Sequence, residues 1–227
     1  MHQNIMMSLV VVSILISCQP NQSKTSLTKN IQRDSISEVD ILKQDTISTK
    51  WTTIDFKKQH LLNKMVYADT ANFMHQKVYP CAVCLLRPEV ADALVNASAI
   101  AQQQRLQLVI YDCYRPKSLQ QKMYDIVQNP KYVALPSKGS NHNKGCAIDV
   151  GLADSSGKEL DLGTAFDDFS EKAYYASDLI SDKSKNNRKI LREIMQKAGF
   201  KPYNNEWWHF NFSNCNYPVS DDTWPCQ

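Results

Sequence analysis

The sequence predicts an α+β domain in which helices pack against a small, mainly antiparallel sheet, and three observations predict it. Apolar residues recur at helical spacing in three separate segments. Short strand-like runs rich in β-branched and aromatic residues stand between and after them. The two kinds of segment do not alternate as a parallel sheet with crossover helices requires, and the last two strand-like runs are chain neighbours, as in a hairpin.

The elements follow in order. Ile5 to Ile16 is an apolar run of 12 residues, too short to cross a bilayer core of ~30 Å and of the length of a secretory signal. Leu15-Ile16-Ser17-Cys18 follows it and resembles a bacterial lipoprotein cleavage box. Residues 1–18 therefore read as a lipoprotein-type signal peptide ending at Cys18, which would carry the lipid that anchors the chain to a membrane. Residues 19–50 are polar, without sustained apolar periodicity, and cannot bury enough surface to offset their chain entropy. They read as a flexible tether, which leaves 51–227 as the folded domain in an extracytoplasmic, periplasmic location.

Pro88 opens the first helix, with Val90, Ala93, Leu94, Ala97 and Ile100 inward. A strand over Leu106–Tyr111 delivers Asp112-Cys113-Tyr114-Arg115-Pro116. Ser118 is expected to cap a second helix with Leu119, Met123, Ile126 and Val127 inward. Residues 129–146 form a long loop, a length that in a compact domain usually signals function or disorder. Ala147–Leu152 is the next strand, Arg188–Ala198 a third helix ended by Gly199, and Phe200–Tyr203 and Trp208–Phe212 the closing strands.

Composition removes one function class. The net charge of +3 comes from 26 basic and 23 acidic residues, with no dense Lys/Arg block, so there is no footprint for nucleic acid. Beyond Cys18 stand six cysteines, an even number suited to disulfides in an oxidising compartment. The expected pairs are Cys84 with Cys113 and Cys215 with Cys226. Cys146 is open to two readings, a soft thiolate competing for a metal or a buried or oxidised cysteine.

The chemistry sits in two stretches, SNHNKGCAID (140–149) and NEWWHF (205–210). Together His142, Asp149 and His209 make a two-histidine, one-carboxylate ligand set, the type that leaves a fourth zinc position for water. His60 and His75 have no such neighbours. Glu206, three residues before His209, suits a general base. On a regular strand those two side chains would face opposite ways, so Asn204-Asn205 must present Glu206 from an irregular segment.

SNHNKGCAID, NEWWHF and the upstream DCYRP resemble the zinc D,D-peptidases, and within them the D-alanyl-D-alanine dipeptidases of the VanX type. The resemblance runs from about Tyr79 to Tyr217 and includes LGTAFDDFSEK. It implies a zinc D,D-peptidase-like fold with one Zn²⁺ held by His142, Asp149 and His209. It implies Glu206 as general base and Arg115 as stabiliser of the oxyanion. Asp167 in FDDF would meet the substrate ammonium, although Asp168 beside it is an equally plain turn residue. Ser140 would be a further substrate contact, and Trp207 and Trp208 a pocket wall and a core residue. The implied substrate is the small D-Ala-D-Ala dipeptide, cut into two D-alanines. Two other readings stand beside it: a D,D-carboxypeptidase or endopeptidase acting on peptidoglycan stem peptides, and a lipoprotein that binds cell-wall fragments without cutting them.

Overall fold

A computed structural model describes residues 50–223 and 226. The proposed signal peptide, Cys18 and all but the last residue of the tether lie outside the described residues. The described residues contain seven strands: β1 (Thr52–Thr53), β2 (Leu62–Asn63), β3 (Leu85–Leu86), β4 (Leu106–Asp112), β5 (Ala147–Asp154), β6 (Phe200–Tyr203) and β7 (Glu206–Phe212). The helices are α1 (Pro88–Gln103), α2 (Lys117–Val127) and α3 (Asp182–Lys197). β1 and β3 form a two-stranded ribbon, and the other strands form one sheet in the order β2-β4-β5-β7-β6. Only β2 against β4 is parallel among these pairs, so the sheet is mainly antiparallel as the sequence predicts.

β5 is buried from Ala147 to Ala153 because it has a strand on each side and packed side chains above and below. Its run AIDVGLA is accordingly almost continuously apolar, with Asp149 the one exception. α1 buries Val90, Ala93, Leu94 and Ala97 against β4 and α3. Removing such a side chain from water is worth roughly 1.5–3 kcal/mol for the larger ones.

Two helix boundaries differ from expectation. Pro116, not Ser118, occupies the cap position of α2, and the Ser118 N–H donates instead to Asp221 Oδ1 at 2.7 Å, a partner from the C-terminal tail. α3 begins six residues before Arg188, where Ser181 Oγ accepts from Ser184 N at 3.1 Å. Its first turns are polar, so the apolar spacing that marks a helix starts late. Gly199 follows this helix at φ +97°, the left-handed conformation expected of it.

Among the described residues three disulfides cross-link the fold: Cys84–Cys113, Cys81–Cys226 and Cys146–Cys215. The first is the expected one. The expected Cys215–Cys226 bridge is not formed. β7 runs antiparallel to β5 with Ala147 opposite Asn211, and Phe212 N donates to Cys146 O at 2.8 Å, so Cys215 leaves the sheet beside Cys146. Pairing by nearness in sequence fails because the sheet brings a distant cysteine closer. The same bridge removes Cys146 as a competing metal ligand. Closing loops this long contributes about 3–5 kcal/mol per bridge in the chain-entropy picture.

Candidate metal centre and substrate cavity

Cross-strand register assembles the centre. Asp149 on β5 stands opposite His209 on β7 and, on its other side, opposite Asp112 on β4. Directly opposed residues in a sheet hold their Cβ atoms about 5 Å apart, near enough to share one ligand. His142 reaches them from a single 3-10 turn, His142–Lys144, that precedes β5. Gly145 ends this turn at φ +73°, and a Cβ there would stand 2.2 Å from the Trp51 ring, so only glycine fits.

His142 Nε2, His209 Nδ1 and Asp149 Oδ1 are separated by 3.2, 3.0 and 3.4 Å. Acceptors on the outer nitrogens fix both tautomers. His142 Nδ1–H donates to the Cys113 carbonyl at 2.7 Å, and His209 Nε2–H donates to Asn211 Oδ1 at 3.0 Å. Both inner nitrogens are then lone pairs, facing each other and a carboxylate. Such a cluster repels itself unless a cation joins it. Tetrahedral zinc, with bonds of about 2.0–2.1 Å, spaces its ligand atoms about 3.3 Å apart, which matches the three measured separations. The donor set and its size therefore fit one Zn²⁺.

The electrostatics agree. Burial alone would raise the Asp149 carboxyl, but His142 and His209 outweigh it and hold it below the usual carboxylate range. Burial would lower His209, but Asp149 and then Glu206 outweigh that and bring it up to about 9, so the pocket favours positive charge at this point. Glu206 lies with Oε2 3.9 Å from His209 Nδ1, and its side chain keeps 32% of its surface exposed. Burial chiefly pushes its carboxyl up. The register between β6 and β7 shifts after Pro202, with Tyr203 opposite Glu206, and this irregularity lets Glu206 and His209 share one cavity.

Arg115 is held by three groups. Its Nη2 donates to Asp112 Oδ2 at 2.5 Å, Nε to Tyr79 Oη at 3.1 Å and Nη1 to Gln120 Oε1 at 2.9 Å. A guanidinium has five N–H groups, so two are left for the cavity that Arg115 lines. Burial opposes its charge, but Asp112 outweighs burial and keeps it firmly protonated. Asp112 Oδ2 also lies 3.5 Å from His142 Nδ1, so one buried carboxylate serves both the arginine and a ligand.

Asp167 accepts a hydrogen bond from Tyr67 Oη at 2.8 Å, and burial pushes its carboxyl well up. Asp168 accepts from Ser170 N at 2.8 Å and so stabilises its own turn, which separates the two aspartates. Ser140 Oγ accepts from His142 N at 3.0 Å, bracing the metal turn. Trp208 is buried and lines the cavity, while Trp207 donates from Nε1 to Thr164 Oγ1 at 2.8 Å.

His142, Asp149, His209, Glu206, Arg115, Asp167 and Ser140 all line one cavity of about 330 Å³, the size of a small-molecule site. Asp167 also borders a larger cavity of about 530 Å³. Within it Lys64 Nζ and the Tyr111 hydroxyl both donate to Glu159, at 2.5 and 2.7 Å. No metal-ligand cluster lines it among the described residues, so the chemistry belongs to the smaller cavity. Tyr67 and Tyr79 carry no sequence signal, since each contributes a single side chain from a segment apart from the motifs, while Gln120 and Asn211 stand close to Arg115 and His209 in the chain but at no spacing that announces a role. Asp112 stands inside DCYRP, but an aspartate three residues before an arginine does not by itself announce that it braces both that arginine and a metal ligand.

Comparison with known proteins gives a consistent result. The family model described as D-ala-D-ala dipeptidase matches residues 57–226. The chain is 37% identical over 164 residues to the D-alanyl-D-alanine dipeptidase of Escherichia coli (strain K12), covering 72% of this chain and 85% of that protein. It is 32% identical over 153 residues to the D-alanyl-D-alanine dipeptidase of Enterococcus faecium, covering 58% and 75%. Among solved structures, the vancomycin resistance D,D-dipeptidase VanXYg bound to a D-Ala-D-Ala phosphinate analogue gives a TM-score of 0.38 at 21% identity, covering 72% of this chain and 67% of that one.

Proposed function

The chain belongs to the D-Ala-D-Ala dipeptidase family, and from that premise we propose that it hydrolyses the free D-Ala-D-Ala dipeptide to two D-alanines. At the coarser level it is a zinc-dependent peptidase acting on D-Ala-D-Ala-type substrates. The observation that carries the finer reading is that one small cavity holds the ligand set, a half-buried glutamate, an arginine and a second aspartate, Asp167, together. His142, Asp149 and His209 would hold the zinc, which when bound supplies Lewis acidity to the carbonyl and to water.

The residues then divide the work. Glu206 takes a proton from the attacking water as its oxygen bonds to the scissile carbonyl carbon. It passes that proton to the leaving nitrogen as the C–N bond breaks, a role worth about 10²- to 10⁴-fold in rate. Burial, which raises its carboxyl, brings it nearer the pKa that such a shuttle needs. Arg115, fixed by Asp112, Tyr79 and Gln120, turns its two remaining N–H groups to the oxyanion. Asp167, whose charge is disfavoured by burial, gains a partner when the substrate ammonium arrives. A chain-internal amide carries no such charge and would leave that carboxylate unpaired, which disfavours longer peptides. Ser140 contributes its hydroxyl hydrogen to the substrate while its oxygen accepts from His142 N.

The proposal extends to location: export by residues 1–18, lipid attachment at Cys18 and a tether over 19–50. Three disulfides support an oxidising compartment, where free dipeptide and peptidoglycan fragments are both within reach. Comparing turnover of D-Ala-D-Ala with that of a stem pentapeptide ending in the same two residues tests the substrate. Preference for the dipeptide is expected, and preference for the pentapeptide would make the enzyme a D,D-carboxypeptidase.

A further inference from the structure

We propose that Tyr132 and Phe169 form an aromatic bar across the amine end of the cavity, so that size as well as charge excludes peptides extended beyond the dipeptide. This rests on the dipeptidase reading above. Both rings line the same cavity as Asp167, and Phe169 follows Asp167 by two residues. The rings stack with centroids 4.5 Å apart and planes at 21°, although they come from loops that are 37 residues apart in sequence. Phe73 meets Phe169 edge-on at 5.0 Å and 80°.

Each ring is held from behind. Asp167 adopts φ +59°, and the Asp168 turn onto Ser170 N follows directly, so the backbone bends sharply and carries Phe169 to the cavity. On the other side Val133 is buried, and Ala134 O accepts from Gln120 Nε2 at 2.8 Å. Gln120 is also the residue that accepts from Arg115, so the Tyr132 loop and the oxyanion group share one anchor. Tyr132 itself is 46% exposed, which places it at the rim rather than in the core. Because the facing ring surfaces are occupied by each other, the pair offers no platform for stacking a ligand. A group attached to the substrate nitrogen has to part them, whereas an ammonium does not.

Charge and size can be separated by substrate. An N-formyl cap removes the ammonium with two added heavy atoms, so it loses Asp167 without reaching the bar. Nα-acetyl-L-lysyl-D-Ala-D-Ala loses the same ammonium and has to pass it. The readout is the ratio of kcat/KM for the lysyl peptide to that for N-formyl-D-Ala-D-Ala, in which any loss of folded enzyme cancels. Tyr132→Ala and Phe169→Ala are each expected to raise this ratio by about tenfold or more over the natural protein. Tyr132→Phe, which keeps the stack, should leave it near the starting value. A ratio unmoved in both alanine variants overturns the bar, as does a natural protein that cuts both capped substrates equally well. Those outcomes leave turnover of free D-Ala-D-Ala intact. If the natural protein cuts the lysyl peptide but not the free dipeptide, the dipeptidase reading fails and the bar fails with it.

Discussion

On the metal side of the cavity each ligand sits on a strand or on a turn tied to one, whereas on the side proposed to receive the substrate amine Asp167 and Phe169 hang from a loop. Asp149 and His209 are opposed residues of neighbouring strands. The His142 turn is tied down by Arg115 N donating to His142 O at 3.1 Å, by Ser220 N donating to Asn143 O at 2.8 Å and by the nearby Cys146–Cys215 bridge. Asp167 and Phe169 lie in a segment, 161–181, that contains no cysteine and only one short 3-10 turn. Bond cleavage needs atoms held to a fraction of an ångström, so its groups are built on rigid elements. Selecting a substrate tolerates loops, and loops can change without disturbing the chemistry.

The largest expected break is on the rigid side. Glu206→Gln should lower kcat by about 10²- to 10⁴-fold while leaving zinc content unchanged, as elemental analysis and steady-state kinetics together would report. Equal loss of zinc would mean that the residue serves the metal rather than the water. Asn211→Leu removes the acceptor that fixes the His209 tautomer and should weaken zinc binding by about 10- to 100-fold in a competition titration with a chelator. Unchanged affinity would show that the strands alone orient the ring.

On the loop side the expected effect is smaller and selective. Asp167→Asn should lower kcat/KM for D-Ala-D-Ala by roughly 10- to 100-fold and barely touch N-formyl-D-Ala-D-Ala, which lacks the ammonium. A matching pH effect sharpens this. In the proposed roles Asp167 and Glu206 both act ionised, and burial pushes both upward, so activity should be lost as pH falls through a range above that of ordinary carboxylates. The acid limb should have a logarithmic slope of about 2 for the natural protein and about 1 for Asp167→Asn, since one ionisation drops out. Identical slopes would remove Asp167 from substrate binding.

The same division governs what the sequence discloses. α1, β4, β5 and the closing hairpin are legible because apolar spacing marks their buried faces. The start of α3 is not, because its first turns are polar and only Ser181 marks them. The metal triad is legible because a turn followed by a strand fixes the interval from His142 to Asp149, and Glu206 with His209 shares one short segment. Tyr67 is not, because a single side chain arriving from elsewhere leaves no interval to read, and Asn211 and Gln120 are not, because only the folded geometry shows that they meet His209 and Arg115. The Cys215–Cys226 expectation fails for a related reason: sheet register, which no local spacing encodes, decides that Cys215 meets Cys146.

The central claim is that three ligand atoms and one glutamate make a zinc site that cuts D-Ala-D-Ala. The direct measurement is release of free D-alanine by purified protein carrying one zinc per chain, repeated after chelation and after zinc is restored. Release of two D-alanines per dipeptide, abolished by chelation and recovered with zinc, is the expected result. Stoichiometric zinc with no D-alanine released, or release that chelation leaves untouched, would contradict the account.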